Sequence, residues 1–130
     1  MNQSERDQYI NDHMECLGGW RSLIIDLDYQ LSKIDPYYDI GQIKEKFGGL
    51  RYYSYSPYHW WEKRLLGSRF ERLSELAYNR RYKRERLLNE VVRKYEAKAW
   101  TVCEQCGSSA DVSTTTTGWR KTRCASCHSA

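Results

Sequence analysis

The chain has no run of apolar residues that approaches the roughly 20 a helix needs to cross a bilayer. It opens with the polar stretch MNQSERDQ, and no apolar segment of the kind found in signal peptides follows it. We therefore expect a soluble protein of the cytoplasm. Disulfides rarely persist in a reducing cytosol, so closely paired cysteines in this chain indicate a metal ion rather than disulfide bonds.

The sequence also lacks any combination of residues typical of an active site. Asp26 and Asp28 lie two positions apart on a predicted helix, so their carboxylates do not face each other. No set of serine, histidine and aspartate stands out, and neither does a metal-binding carboxylate cluster or a nucleophile paired with a base. We therefore predict that the protein is not an enzyme, and a zinc-stapled nuclease is the enzymatic alternative.

Four of the 5 cysteines form two Cys-x-x-Cys pairs that are separated by 17 residues. The pairs are Cys103 with Cys106 and Cys124 with Cys127. Each Cys-x-x-Cys turn places two sulfurs on one edge of a tetrahedron, so two such turns supply the four ligands of a structural zinc site. Gly107 directly follows the first pair and allows that turn to fold back tightly. We predict one structural Zn²⁺ with no position open to water.

Other arrangements of the metal ligands are compatible with the sequence. His128 is an alternative fourth ligand in place of Cys127, and a pair of redox dithiols is the alternative to a metal site. The remaining thiol, Cys16, lies three residues after His13 on a predicted helix. We interpret that pair as a half-buried thiol beside a partly exposed imidazole rather than as a second metal site.

Hydrophobic periodicity predicts an α+β fold in which a helical body carries a β-hairpin, a long basic helix or two helices, and a zinc-ribbon-like module at the C-terminal end. The expected elements are helices at about 5–17, 20–34 and 60–99 and a β-hairpin at about 40–55. Residues 1–100 form the predicted body and 101–130 the zinc-binding knuckle or ribbon. Because 78–86 has no apolar face, it is either an exposed section of one long helix or a break between two helices.

Gly48 and Gly49 are predicted to form the two-residue turn of the hairpin, because glycine readily adopts positive φ angles. Such a turn pairs Phe47 with Leu50 on the core side and Lys46 with Arg51 on the outer side. Like charges directly opposite each other do not stabilise a sheet, so this pair is tolerable only in water or against a negative partner.

The outer hairpin face is therefore a candidate partner-binding surface, with an ordinary solvated strand face as the alternative. Its members are basic or aromatic: Lys44, Lys46, Arg51, Tyr53 and Tyr55.

Basic residues are concentrated in the middle of the chain. Residues 60–100 contain 12 Lys or Arg against 6 Asp or Glu, whereas residues 1–59 contain 6 against 9. Such a segment favours a polyanion or an acidic protein surface. The chain also has 13 Arg, 11 Tyr and 5 Trp, the residue types enriched at interface hot spots. We predict that Arg80, Arg81 and Arg84 contact a partner, and a solvated helix face is the alternative.

Two segments together resemble a widespread group of small phage and prophage proteins of uncharacterised role. QIKEKFGGLRYY (42–53) matches a hairpin of the type KEKFGGLRFY, and CEQCG with the ending GWRKTRCASCH matches a C-x-x-C…C-x-x-H/C close. The resemblance covers roughly 20–55 and 95–128. It implies that Cys103, Cys106 and Cys124 are ligands, with Cys127 where the group often has histidine. The arginine-rich insertion at about 60–95 is a departure from the group.

This resemblance implies an origin in a mobile genetic element. Such an origin implies in turn a small non-enzymatic protein that binds host machinery, such as a CRISPR nuclease, in the bacterial cytoplasm. We therefore predict a zinc-stabilised protein that binds and inhibits a host protein or nucleoprotein complex, in the manner of an anti-CRISPR protein. The alternative is a zinc-ribbon accessory protein that binds DNA or RNA directly through basic residues of 64–86 and of the hairpin. Direct nucleic-acid binding predicts an affinity that falls steeply with salt.

Overall fold

The computed structural model describes residues 2–129, over which the chain forms five helices and five strands. The fold is α+β, as predicted. The helices are α1 Gln3–His13, α2 Arg21–Ile34, α3 Trp60–Leu66, α4 Glu71–Ala99 and α5 Ala125–Ser129, and the strands are β1 Met14–Glu15, β2 Asp39–Lys46, β3 Gly49–Tyr55, β4 Val112–Thr114 and β5 Thr122–Cys124. A 3₁₀ turn, Gly18–Trp20, precedes α2. No helix within these residues combines the length and the apolar character required to cross a membrane.

The core lies between α2, α4 and the inner face of a sheet with the strand order β1-β2-β3. The apolar stripe of α2 supplies Ile24, Leu27 and Leu31, which are fully buried. Leu88 of α4 and the two hairpin strands complete the same cluster. The second sheet, β4-β5, belongs to the C-terminal module.

Helix α1 ends four residues before the predicted position 17. It begins with a capping box, in which the Asn2 side chain accepts from the backbone N–H of Glu5 and the Glu5 carboxylate accepts from that of Asn2. It ends at His13 because Met14 adopts an extended backbone and pairs in parallel with Ile43 of β2. Pairing with the free edge of the hairpin therefore outweighs the helical periodicity of this segment.

The region predicted as a helix over 60–99 consists of two helices, α3 and α4. The break lies at 67–70, between the end of α3 and the start of α4, and not within 78–86. The arginine-rich segment stays helical without an apolar face of its own, because two of its arginines bond to the segment 56–62. Helix α3 packs along α4, so the two form an antiparallel-type pair joined by a short loop.

The hairpin turn lies one residue earlier than predicted. Lys46 pairs with Gly49, so the turn residues are Phe47 and Gly48, with φ angles of 54° and 83°. Positive φ at both positions is the requirement of a type I′ turn, whose twist matches that of the two strands. Phe47 therefore adopts the left-handed backbone conformation that the sequence predicted for Gly49.

This shift corrects two predicted strand pairs. Phe47 does not face Leu50, and Lys46 does not face Arg51; Arg51 lies opposite Lys44 instead. Each strand residue nevertheless stays on its predicted side, because the register changes by two positions. Leu50 is buried in the core, while Lys44 and Arg51 lie on the outer face.

Candidate metal centre and docking surface

The four paired cysteines come together as predicted. The sulfurs of Cys103, Cys106, Cys124 and Cys127 all lie within 4.8 Å of one another, and those of Cys106 and Cys124 are 3.6 Å apart. A tetrahedral ion with metal–sulfur bonds of about 2.3 Å holds its sulfurs about 3.8 Å apart. The spacing and the all-thiol donor set therefore fit one bound metal ion that prefers soft ligands and leaves no position for water.

The turn that carries the first two cysteines is preshaped by backbone hydrogen bonds. The N–H of Cys106 donates to the sulfur of Cys103 over 3.4 Å, and the N–H of Gly107 donates to the carbonyl oxygen of Cys103 over 2.9 Å. Gly107 has a φ of 81°, and a Cβ atom there would lie 3.0 Å from the carbonyl oxygen of Gly19. Glycine is therefore required at this position both for the turn and for its contact with the body.

The thiols of the cluster differ in acidity. Burial opposes ionisation of Cys103, but N–H groups of Cys106, Cys124 and Gln105 lower its pKa to about 6. The neighbouring sulfurs, Cys124 first, raise the pKa of Cys127 to about 12. A metal ion must therefore displace protons from part of the cluster, which couples metal affinity to pH.

Neither His128 nor Cys16 joins the cluster. The Nε2 atom of His128 lies 3.0 Å from the carbonyl oxygen of Ser113, so the imidazole is engaged elsewhere. Burial, and then the charges of Glu104 and Glu45, raise the pKa of Cys16 to about 11, so its thiol is protonated at neutral pH. Within the described part of the chain, the four paired cysteines are the only potential metal-binding group of this kind.

The C-terminal module is fastened to the helical body by two hydrogen bonds near its N-terminal end. The indole N–H of Trp20 donates to the carbonyl oxygen of Val102, and the N–H of Gly19 donates to that of Glu104, both over 2.9 Å. The N–H of Glu104 in turn donates to the carbonyl oxygen of Thr122 over 2.9 Å. The metal-binding turn and β5 therefore form one unit with the start of α2.

The hairpin turn rests directly on this module. The hydroxyl of Thr122, which is fully buried, donates to the carbonyl oxygen of Gly48 over 2.5 Å. A Cβ atom at Gly49 would lie 2.7 Å from the indole ring of Trp100, so glycine permits the close contact between the hairpin and the end of α4. The metal centre and the hairpin tip are thus linked through two residues of β5.

The outer hairpin face is formed as predicted, although its cross-strand pairs differ. Lys44 lies opposite Arg51 and also beside Glu15 of β1, which reduces the repulsion between the two cations. The ammonium group of Lys44 lies 5.6 Å from the centre of the Tyr53 ring. Tyr55 is exposed at the other end and donates to the carboxylate of Asp39 over 2.8 Å.

The three arginines predicted as partner contacts on the long helix have different surroundings. Arg80 is exposed and lies over the ring of Trp61. Arg81 is half-buried and donates to the carbonyl oxygen of Ser56 over 2.8 Å. Arg84 binds the carboxylate of Glu62 through both terminal nitrogens, each over 2.6 Å. Arg84 is thus used inside the protein, which corrects its assignment as a partner contact.

Arg84 belongs to a buried polar network that the sequence pattern did not indicate. It also donates to the hydroxyl of Ser56, which donates to the carboxylate of Asp35 at the end of α2. Burial opposes the ionised forms of Asp35 and Glu62, but the hydrogen bonds from Ser56 and Arg84 outweigh it and hold both pKa values below their usual range. The network joins α2, α3 and α4 and has a structural role.

The imidazole of His59 is fixed in the same network. Its backbone N–H donates to the carboxylate of Glu62 over 2.7 Å at the start of α3, and its Nε2 atom lies 3.1 Å from a carboxylate oxygen of Asp35. These contacts tie the histidine to the network.

Sequence reasoning missed the most exposed aromatic residues at the tip of the molecule. Phe47 is 66% exposed and Trp119 is 81% exposed, and both line a cavity between the hairpin turn and the loop that joins β4 to β5. Phe47 had been assigned to the core side of the hairpin. The neighbouring Gly118, with a φ of 66°, was the available signal that Trp119 lies in a turn.

Comparison of the chain with models of protein families, with curated proteins and with solved structures finds no significant match.

Proposed function

We propose that the protein is a non-enzymatic docking protein in which one structural Zn²⁺, bound by the four paired cysteines, supports a surface that binds and inhibits a partner protein or nucleoprotein complex. The observation that carries this proposal is the pair of exposed aromatic side chains, Phe47 and Trp119, at the junction of hairpin and metal-binding module. Large aromatic side chains beside arginine are the typical anchors of protein interfaces.

The docking end, defined as Phe47, Trp119 and the outer hairpin face, combines apolar anchors with basic charge. Lys44, Lys46 and Arg51 give the hairpin part a positive surface, which favours an acidic partner and excludes a basic one. Zinc contributes by fixing β5, whose Thr122 holds the hairpin turn. Since four thiolates saturate the ion, its role is structural and no chemistry is assigned to it.

The resemblance to small phage and prophage proteins supports a host defence complex, such as a CRISPR nuclease, as the partner. Mobile elements use small binding proteins of this kind against host machinery, and inhibition requires only that docking blocks a working surface. This part of the proposal depends on the hairpin and cysteine motifs alone.

The test is capture of bacterial proteins by the zinc-loaded chain, with and without nuclease and at two salt concentrations. The proposal expects a discrete partner that survives nuclease treatment and moderate salt, and whose capture is lost in Trp119→Ala and Phe47→Ala. Trp60→Ala is the matched control, because it removes an exposed indole of α3, outside the docking end. Capture that disappears with nuclease, or that Trp119→Ala leaves unchanged, would refute the proposal.

Direct binding of single-stranded nucleic acid is the second candidate, and it is favoured by the stacking of arginines on aromatic rings along α3 and α4. The guanidinium carbon of Arg64 lies 5.3 Å from the ring centre of Trp60, and that of Arg80 lies 5.7 Å from the ring centre of Trp61. Such surfaces bind bases by stacking and phosphates by charge. This candidate predicts a steep loss of affinity with salt and a dependence on Trp60 rather than Trp119.

A further inference from the structure

The four cysteines of the metal-binding cluster differ in their access to solvent. Cys106 is exposed and Cys127 is half-buried, whereas Cys103 is fully buried and Cys124 is only 7% exposed. A dissolved reagent therefore reaches the cluster through Cys106 first. Oxidation of a cysteine depends on its exposure and on its thiolate character, and a cysteine that binds a metal is held as the thiolate.

A second, shielded sulfur lies next to the exposed one. The sulfurs of Cys106 and Cys124 are 3.6 Å apart, although the two residues are 18 positions apart in the chain. Because Cys124 is buried, it is not an early target of a dissolved oxidant, but it is in position to react with a modified Cys106. An exposed cysteine poised beside a second cysteine that resolves it is the arrangement of a redox-sensitive pair.

Hydrogen peroxide is the matching oxidant, because it is small and uncharged and is therefore not repelled by four thiolates around one divalent ion. The Cys106 thiolate attacks one peroxide oxygen, so that an S–O bond forms, the O–O bond breaks and hydroxide leaves. The Cys124 thiolate then attacks the sulfenic sulfur, so that an S–S bond forms, the S–O bond breaks and a second hydroxide leaves. The two thiolates lose one electron each, and the peroxide gains both.

Such a disulfide removes two ligands from the metal centre. A disulfide sulfur is not a thiolate, so only Cys103 and Cys127 still bind the ion, which is then held by two sulfurs instead of four. Cys124 ends β5, and Thr122 at the start of that strand donates to the carbonyl oxygen of Gly48 in the hairpin turn. Loss of the ion therefore weakens the support of the hairpin turn.

We infer that Cys106 is a peroxide-sensitive site, and that its oxidation forms a disulfide with Cys124, releases the metal ion and loosens the docking end. This inference rests on the proposed function, since it assigns a redox regulation to the same metal centre. The chain docks in its reduced, zinc-loaded form and loses its docking surface when it is oxidised.

The test treats zinc-loaded Cys16→Ser with hydrogen peroxide, because this variant retains only the four thiols of the cluster. A chromophoric chelator measures the released zinc, and mass spectrometry of peptides locates the disulfide. The expected result is a Cys106–Cys124 disulfide that forms at the same rate as zinc is released, with a rate proportional to the peroxide concentration. The indole N–H signal of Trp119 in NMR spectra should shift on oxidation and return after a thiol reductant and zinc are added.

The difference in access is measured on the same variant without peroxide. With less than one equivalent of iodoacetamide, the alkyl group should be found on Cys106 at least about tenfold more often than on Cys103 or Cys124, because burial shields those two sulfurs. Equal labelling of the three cysteines would contradict the assignment of Cys106 as the reactive site.

A disulfide within either Cys-x-x-Cys turn, zinc release without a disulfide, or an unshifted Trp119 signal in the oxidised chain would overturn the inference. So would a chain that keeps its zinc and its four thiols in excess peroxide. The parent chain treated in parallel should form the same disulfide, so the result does not depend on how Cys16→Ser folds. A purified chain without zinc refutes the proposed metal centre before peroxide is added, whereas a zinc-loaded chain that captures a partner and resists peroxide refutes the redox inference alone.

Discussion

The hydroxyl of Thr122 donates a 2.5 Å hydrogen bond to the carbonyl oxygen of Gly48, at a position fully shielded from water. Thr122 begins the strand that ends at Cys124, and Gly48 is the second residue of the hairpin turn. The metal site and the exposed tip are therefore separated by two residues and one hydrogen bond. Several measurable properties of the tip should depend on the metal for this reason.

Replacement of a metal ligand should loosen the module and the hairpin tip together. We expect Cys103→Ser to lose bound zinc and to lower Tm by more than about 10 °C, because metal binding and folding of such modules are coupled. Thermal unfolding with zinc analysis measures both effects. Cys16→Ser is the matched control, since that thiol lies outside the cluster, and it should retain one zinc per chain. Unaltered unfolding of Cys103→Ser would contradict a structural role for the metal.

The link between module and hairpin is tested by Thr122→Val, which keeps the shape of the side chain and removes its hydroxyl. The carbonyl oxygen of Gly48 then loses its buried donor, and we expect a loss of about 1–3 kcal/mol in the free energy of unfolding. Zinc content should stay at one per chain. Thr116→Val, at an exposed position of the loop that joins β4 to β5, should change the free energy by less than about 0.5 kcal/mol. Equal effects of the two changes would show that the hydrogen bond is unimportant.

The buried network predicts a specific acid sensitivity. Glu62 and Asp35 have folded-state pKa values below those of the unfolded chain. Their contribution to the free energy of unfolding is therefore complete above about pH 4.5 and is lost as the pH falls through the folded-state pKa values. We expect Glu62→Gln to be less stable than the parent at pH 7, with a smaller difference at pH 3. Denaturant unfolding of both chains at several pH values measures this difference. Acid also releases zinc, but this effect cancels from the difference because both chains retain the metal site. A difference that grows toward low pH would have the wrong sign.

The outer hairpin face predicts a charge-dependent interaction. Because Lys44 and Arg51 are the true cross-strand partners, Lys44→Glu with Arg51→Glu should abolish capture of an acidic partner and shift Tm by only a few degrees. Arg93→Glu with Lys94→Glu makes the same change in net charge at exposed positions of α4 and is the control. Equal capture by both double variants would remove the outer hairpin face from the docking end.

Local patterns predicted the elements better than they predicted their ends. The stripe of α2 and the two Cys-x-x-Cys turns were recovered because each is specified by residues close together in sequence. The end of α1 was predicted wrongly, because Met14 leaves the helix and pairs with Ile43, a partner 29 positions away. The hairpin turn was displaced by one residue because Phe47, not Gly49, takes the left-handed backbone.

The candidate site divides in the same way. Spacing alone sufficed for the cysteine cluster, whereas the role of Arg84 depends on Glu62, which only the packing of α3 on α4 brings within 2.6 Å. The cleft between Phe47 and Trp119 joins two loops 72 positions apart, and no local signal connects them. Long-range packing therefore decided which basic and aromatic residues are available to a partner.

The most direct test of the account is X-ray absorption at the zinc edge of the purified protein, together with its zinc content. The account predicts one zinc per chain with four sulfur neighbours at about 2.3 Å and no oxygen neighbour. A chain that carries no zinc, or a zinc that binds water, would contradict it.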